Sequence, residues 1–351
     1  MATVYQFLNG PSVLRLVHEG ATLITGEGED AVVQRFPGAE AAREHLERIL
    51  QNRRRSGYRI ETSATELPPG QFELAELAEN VAWDEARRRM VVTFKSALAA
   101  RDLVPAIVDA AAATRPICLR VACDPGSPGA AFAAAVRATT LPTVRRFIFD
   151  TDFQTLTRQR SNAIGDLADV FAGLPALESA FLSGELLLRP CEHPALRELW
   201  LLGDPLLPST VSALARCSFP ALTRLGLVLR SDHDDGPAAQ AARALRSLAA
   251  PALRTVAVAG VDDIPAFLAL LTPLPPHWTE LHLTGSIADE HALLTVLEQH
   301  AVDLSRLTRL AVPLCDELSS EADERARKLL PNLLDSEELR DPFLPATYES
   351  W

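Results

Sequence analysis

From about residue 116 onward one short pattern recurs, and it constrains the fold more than any other feature of the chain. A stretch of the form L-x-x-L-x-L, or a close variant, stands at 144–149, 177–182, 196–201, 222–227, 253–258, 278–283 and 307–312. Successive copies begin 33, 19, 26, 31, 25 and 29 residues apart, and a shorter first copy sits at 117–121. Four copies open on the same tripeptide, Pro-Ala-Leu, at 175–177, 194–196, 220–222 and 251–253. Apolar alternation over a few residues is the signature of a strand. The segments between read as helices, at 130–138, 164–172, 210–217, 238–249, 264–271, 290–300 and 321–334. One short strand followed by one helix, repeated, predicts parallel neighbouring strands. Each unit carries an apolar edge that only its neighbour can bury, so the units must stack.

These copies resemble the leucine-rich-repeat family, in its longer helical units, over roughly residues 115–335. The resemblance implies an α/β solenoid of parallel strands with outer helices, presenting a concave strand-lined face. The Asn that the family uses to tie neighbouring coils is replaced by Asp152, Glu185, Asp204, Arg230, Val261, Ser286 and Cys315, which predicts an irregular array. With the leucines turned inward, alternate residues form two rows across the strands. One row is Ile148, Phe181, Trp200, Gly226, Ala257, His282 and Ala311. The other is Arg146, Ser179, Glu198, Arg224, Thr255, Glu280 and Arg309. Aromatic anchors inside a polar rim are what a protein-binding patch uses. The candidate partner-binding residues are therefore Arg146, Ile148, Phe181, Glu198, Trp200, Leu202, Arg224 and Val228. The same pattern also suits a patch covered by another part of the chain, and the residues alone leave both readings open.

The first sixty residues follow a different plan. Residues 4–8, 13–17, 21–25 and 31–36 read as short strands separated by glycine turns, and 39–55 reads as a helix with Ala42, Leu46, Ile49 and Leu50 at helical spacing. On Leu14-Arg15-Leu16, Glu19-Gly20, Leu23-Ile24-Thr25-Gly26-Glu27-Gly28, Phe36, Ala41-Ala42 and Gly57-Tyr58, residues 3–60 resemble the WGR domain, a small antiparallel sheet with one helix. The name-giving Trp-Gly-Arg position holds Thr25-Gly26-Glu27. The resemblance implies a nucleic-acid-facing surface. Within this segment Arg53, Arg54, Arg55 and Arg59 are the candidate phosphate-binding residues, although arginines also suit a solvated helix end, where they complement the C-terminal dipole. Residues 61–71 read as a linker and 72–115 as a helical cap or flank of the array, with helices at 72–81 and 101–113. Residues 90–94 are either strand or helix interior, and Trp83 reads as core. Residues 336–351 read as an acidic tail.

Composition narrows the function. The 351 residues carry a net charge of −12, which argues against a general nucleic-acid coat or an anionic-membrane binder. No run reaches about 18 apolar residues, so no membrane span is expected. The N-terminus lacks the features of a signal peptide, which points to the cytoplasm. Five cysteines without a C-x-x-C read as reduced thiols. Only Lys95 and Lys328 are lysines among 34 basic residues, a composition typical of a GC-rich bacterial genome. Phosphate-loop, dinucleotide, zinc-protease and nucleophile-elbow motifs are absent. The polar cluster Ser231-Asp232-His233-Asp234-Asp235-Gly236 lacks the spacing of a calcium loop and fits the cap of a helix. Asp289, Glu290 and His300 likewise read as helix-end residues. No catalytic residue, metal or cofactor is assigned. The expectation is a non-enzymatic protein–protein interaction scaffold or adaptor, with a nucleic-acid-associated regulator as the alternative.

Overall fold

The computed structural model describes residues 2–9, 12–19, 22–25, 32–35, 39–55, 59–65, 81–94, 97–123, 129–151, 163–202, 206, 208–229, 237–314 and 318–335. The N-terminal part comprises β1 (Ala2–Asn9), β2 (Ser12–Glu19), β3 (Thr22–Thr25), β4 (Val32–Arg35), α1 (Ala39–Arg55) and β5 (Arg59–Thr65). The strands form one antiparallel sheet in the order β4-β3-β2-β1-β5. Helix α1 packs against β3 and β5. Ala42 and Leu46, four residues apart and so on one helix face, are buried along with Leu16 and Leu23 of the sheet. Four strands and the helix fall where the alternation placed them. The fifth strand is a correction, because 61–65 read as linker. Its Ile60, Thr62 and Thr65 are β-branched, and extended pairing with β1 outweighs their polar company.

The rest of the described chain builds a second, larger sheet. Its strands are β6 (Val81–Asp84), β7 (Arg89–Phe94), β8 (Cys118–Cys123), β9 (Arg146–Thr151), β11 (Ser179–Ser183), β13 (Glu198–Leu202), β14 (Arg224–Val228), β15 (Thr255–Val261), β16 (Glu280–Gly285), β17 (Arg309–Val312) and β18 (Leu333–Asp335). They lie side by side in this chain order, eleven strands in all, and every neighbouring pair is parallel except the β6–β7 hairpin. A separate parallel pair is formed by β10 (Ala163–Asp166) and β12 (Glu185–Leu187). The connecting helices are α2 (Ala97–Thr114), α3 (Gly129–Thr139), α4 (Leu167–Gly173), α5 (Pro208–Leu214), α6 (Pro237–Ser247), α7 (Ile264–Leu271), α8 (Glu290–Gln299), α9 (Ala301–Leu304) and α10 (Ser320–Leu329). The result is an α/β fold built on a large, mostly parallel open sheet.

The repeated leucines explain the stacking. Leu199, Leu201, Leu225, Leu227, Val256, Val258, Leu281 and Leu283 are all fully buried, and they share one core with Val211, Leu214, Ala241, Leu245, Phe267, Leu268, Leu293 and Leu297 of the helices. Aromatic side chains also fill this core. Phe132 stacks on Phe147 at 6.2 Å, and Phe171 meets Phe219 edge-on at 6.0 Å.

The Pro-Ala-Leu tripeptide has a local cause. In 174–177, 219–222 and 250–253 the leucine N–H donates to the carbonyl three residues back, at 3.0 to 3.1 Å, closing a turn. Proline then stands at the second turn position, where its fixed φ costs no ordering entropy. The following leucine enters the core. Pro142 and Pro331 stand at the same place in 141–144 and 330–333, which close with the same hydrogen bond.

A second recurrent device joins each unit to the one before. The carbonyls of Arg88, Ile117, Arg145, Glu178, Arg197, Thr223, Arg254 and Thr279 each accept two successive backbone N–H groups from the entry of the next strand, at 2.7 to 3.3 Å. The hydroxyls of Thr223, Thr279 and Thr308 add a third donor at Arg197, Arg254 and Thr279 respectively. These hydrogen bonds tie the entry of each of these strands to the one before it.

Several expectations need correction. The flank at 72–115 is not purely helical: β6 and β7 belong to the large sheet, which therefore begins at Val81 rather than near 116. Residues 90–94 are strand, and 71–80 lie outside the described residues. The helix read at 164–172 begins as strand β10, with Asp166 capping α4 by accepting the Ala168 N–H at 2.9 Å. The helix read at 321–334 stops at Leu329, because Pro331 cannot continue it and 333–335 pairs with β17. The tail at 336–351 lies outside the described residues.

Candidate interaction face

The two faces of the large sheet bury different residues. One face holds the leucine core under the helices. On the other, Ile148, Phe181, Trp200 and Ala257 form a separate cluster, with Leu202 packed at its side. Both rows read from the sequence are in register strand by strand: Ile148, Phe181, Trp200, Gly226, Ala257, His282 and Ala311 pair in order, and so do Arg146, Ser179, Glu198, Arg224, Thr255, Glu280 and Arg309.

The open aromatic patch is not found. Ile148 is 1% exposed, and Phe181 and Trp200 are 5% exposed, within this single chain. The chain alone removes them from water, so they offer no ready surface to a partner. Leu202 and Val228 are half-buried, while Arg146, Arg224 and Arg309 are exposed. The accessible part of the face is its charged row.

That row contains the same constellation twice, three strands apart. Glu198 accepts from Trp200 Nε1 at 3.0 Å and from Ser179 Oγ at 3.2 Å, with Arg224 at 3.7 Å on the following strand. Glu280 is met by His282 Nε2 at 3.5 Å and Thr255 Oγ1 at 3.3 Å, with Arg309 at 3.9 Å on the following strand. In both, a hydroxyl precedes the carboxylate, a ring N–H comes from two residues on in the same strand, and a guanidinium follows. The spacing E-x-W and E-x-H was the sequence signal for these nodes. It gains meaning only once strand neighbours are known.

Trp200 also explains the glycine beside it. A β-carbon on Gly226 would lie 2.0 Å from Trp200 Cε3, so the indole covers Gly226 and needs a residue without a side chain there. His282 is lowered in pKa because burial disfavours the imidazolium, against the pull of Glu280 toward the charged form. Toward β7 the charged row continues through Cys118, which pairs with Arg89 on one side and Arg146 on the other. Burial pushes the Cys118 thiol up, while Arg146, Arg89 and Arg120 act in the opposite direction.

The remaining candidates are placed as follows. Arg53 is half-buried and Arg55 exposed at the end of α1, and the side chains of Arg54 and Arg59 lie outside the description. Gly26, Glu27 and the cluster 231–236 lie outside the described residues. Asp289 caps α8 by accepting the His291 N–H at 2.9 Å. Among the described residues no three His, Cys, Asp or Glu side chains gather as a metal site, and no helix is long and apolar enough to cross a membrane.

Comparison with known proteins bears on the fold alone. No family model matches the chain, and no curated protein does. Among solved structures the chain is similar to a crystal structure of a Bacteroides fragilis protein from a structural-genomics consortium, with 16% sequence identity and a TM-score of 0.52. The likeness covers 97% of each chain, so it takes in both the N-terminal and the large sheet. It fits a repeat-like α/β fold.

Proposed function

We propose that this protein is a non-enzymatic interaction scaffold, a leucine-rich-repeat-like array beside a WGR-like N-terminal module, whose strand-lined face engages a protein partner through its charged row. The observation that carries this reading is the duplicated node: Glu198 with Arg224, and Glu280 with Arg309, held in register on one face. Charges of alternating sign at fixed spacing select a partner with the complementary order and raise its association rate. The buried row beside it stiffens the platform. This stacking of units, each packed on the next, suits an extended binding surface.

The test is affinity capture from cells of the source organism with the wild type and two charge-reversed forms. Arg224→Glu with Arg309→Glu alters the sheet face, and Arg53→Glu with Arg55→Glu alters the end of α1. The expected result is a protein partner retained by the wild type and the α1 form but lost from the face form, with unchanged circular dichroism. Loss in the α1 form alone, together with sensitivity to nuclease, would replace the scaffold by the nucleic-acid-associated regulator.

A further inference from the structure

Cys191 and Cys217 are 26 residues apart in sequence, yet their sulfurs stand 3.8 Å apart. The backbone holds them there. Ser218 N donates to Cys191 O at 2.9 Å and His193 N to Ser218 O at 3.0 Å, so Glu192 and Ser218 form a parallel bridge and the two cysteines are the preceding pair in that register. Adjacent strands lie about 4.8 Å apart. That spacing falls within the range that a disulfide spans, roughly 4.4–6.8 Å between α-carbons. Closing the sulfurs to bonding distance requires them to approach by about 1.8 Å, within reach of side-chain rotation.

We propose that Cys191 and Cys217 are a reversible dithiol–disulfide site, oxidised by small disulfides such as oxidised glutathione. Cys191 is half-buried and Cys217 is buried, so the external disulfide meets Cys191 first. Cys191 attacks one sulfur of it, the external S–S bond breaks, and the first glutathione leaves as a thiolate that takes the proton lost from Cys191. Cys217 then attacks Cys191 Sγ and expels the second glutathione, which takes the proton of Cys217. Two protein thiols and one small disulfide become one protein disulfide and two small thiols, a balanced two-electron exchange. The bond would tie the β12–β13 connection to the segment after α5, joining two successive units covalently.

The experiment places the full chain in glutathione buffers stepped from reducing to oxidising, then quenches with acid, alkylates free thiols and maps tryptic peptides. Arg197 and Arg216 lie between the two cysteines, so their peptides separate unless linked. The expected product is a cross-link of these two peptides, mass lower by two hydrogens, fully reversed by dithiothreitol. It should persist when Cys118, Cys123 and Cys315 are replaced by serine. In Cys217→Ser, glutathione should remain attached to Cys191. Separate alkylation of both cysteines at every poise, stable glutathione on Cys191 of the wild type, or a link to another cysteine would each overturn the proposal.

Discussion

At Trp200 the indole covers a neighbour that has no side chain, and the two positions depend on each other. Gly226→Ala places a methyl where the ring stands, and is expected to cost about 1–3 kcal/mol in urea unfolding. In a Trp200→Ala background the same change should cost much less, and a double-mutant cycle measures the coupling. Equal cost in both backgrounds would refute the packing argument. Buried histidines set a second expectation. His193 is 2% exposed, with Nε2 3.0 Å from Leu174 O, and burial lowers its pKa as it does that of His282. The unfolded chain takes up protons near pH 6.5 while the native imidazoles resist them. The unfolded state therefore binds more protons as pH falls, and stability drops from about pH 6.5 downward toward the lower native values. The urea midpoint should fall between pH 7.5 and 5.5, and His282→Gln should reduce that fall.

Whole elements were legible in the sequence where local pattern and burial agree. The copies at 144–149 and 177–182 each hold a strand, which starts two residues in at Arg146 and Ser179, and the helix at 264–271 stands where periodicity put it, because apolar spacing reports a face directly. Others were hidden for physical reasons. Residues 81–94 carry no L-x-x-L-x-L, since an antiparallel hairpin at the sheet end needs no such repeat. Residues 163–166 run into α4 without a break, so polar and apolar spacing alone favoured helix. Both rows of the strand-lined face were legible as alternation, but their burial was not, because whatever shields one face of a sheet is remote in sequence. Two substitutions examine the element level. Leu225→Ala should cost about 2–5 kcal/mol by opening a cavity in the shared core. Pro251→Ala should cost only about 0.4–1 kcal/mol, through the entropy of a turn no longer preset. Denaturant titration of both variants tests this order, and a larger loss for Pro251→Ala would contradict it.

At the scale of the molecule, the large sheet grows in chain order and, among the described residues, ends in two different ways. On one side the β6–β7 hairpin turns the outermost strand antiparallel. On the other, β18 is a strand of three residues. Short edge strands limit pairing with other chains. Asn332 secures this end, its Nδ2 donating to Leu304 O at 3.0 Å and Leu307 O at 2.9 Å. A chain ending at Leu314 would lose α10 and β18 and leave β17 as the edge. It is expected to self-associate, seen as a rise in mass by sedimentation, whereas Asn332→Ala should remain at the wild-type mass. A truncated chain that stays at its own monomer mass and unfolds with the wild-type midpoint would show that this end contributes little.

The doubled acceptance of N–H groups by a single carbonyl at eight strand entries fixes alignment there independently of what the return path contains. Intervals as different as 19 and 33 residues can then coexist without any slippage between strands. Insertions should therefore be absorbed on the helical side, leaving the opposite face unaltered. Lineages could lengthen or trim a loop, or graft in a whole additional unit, while every side chain presented outward keeps its address.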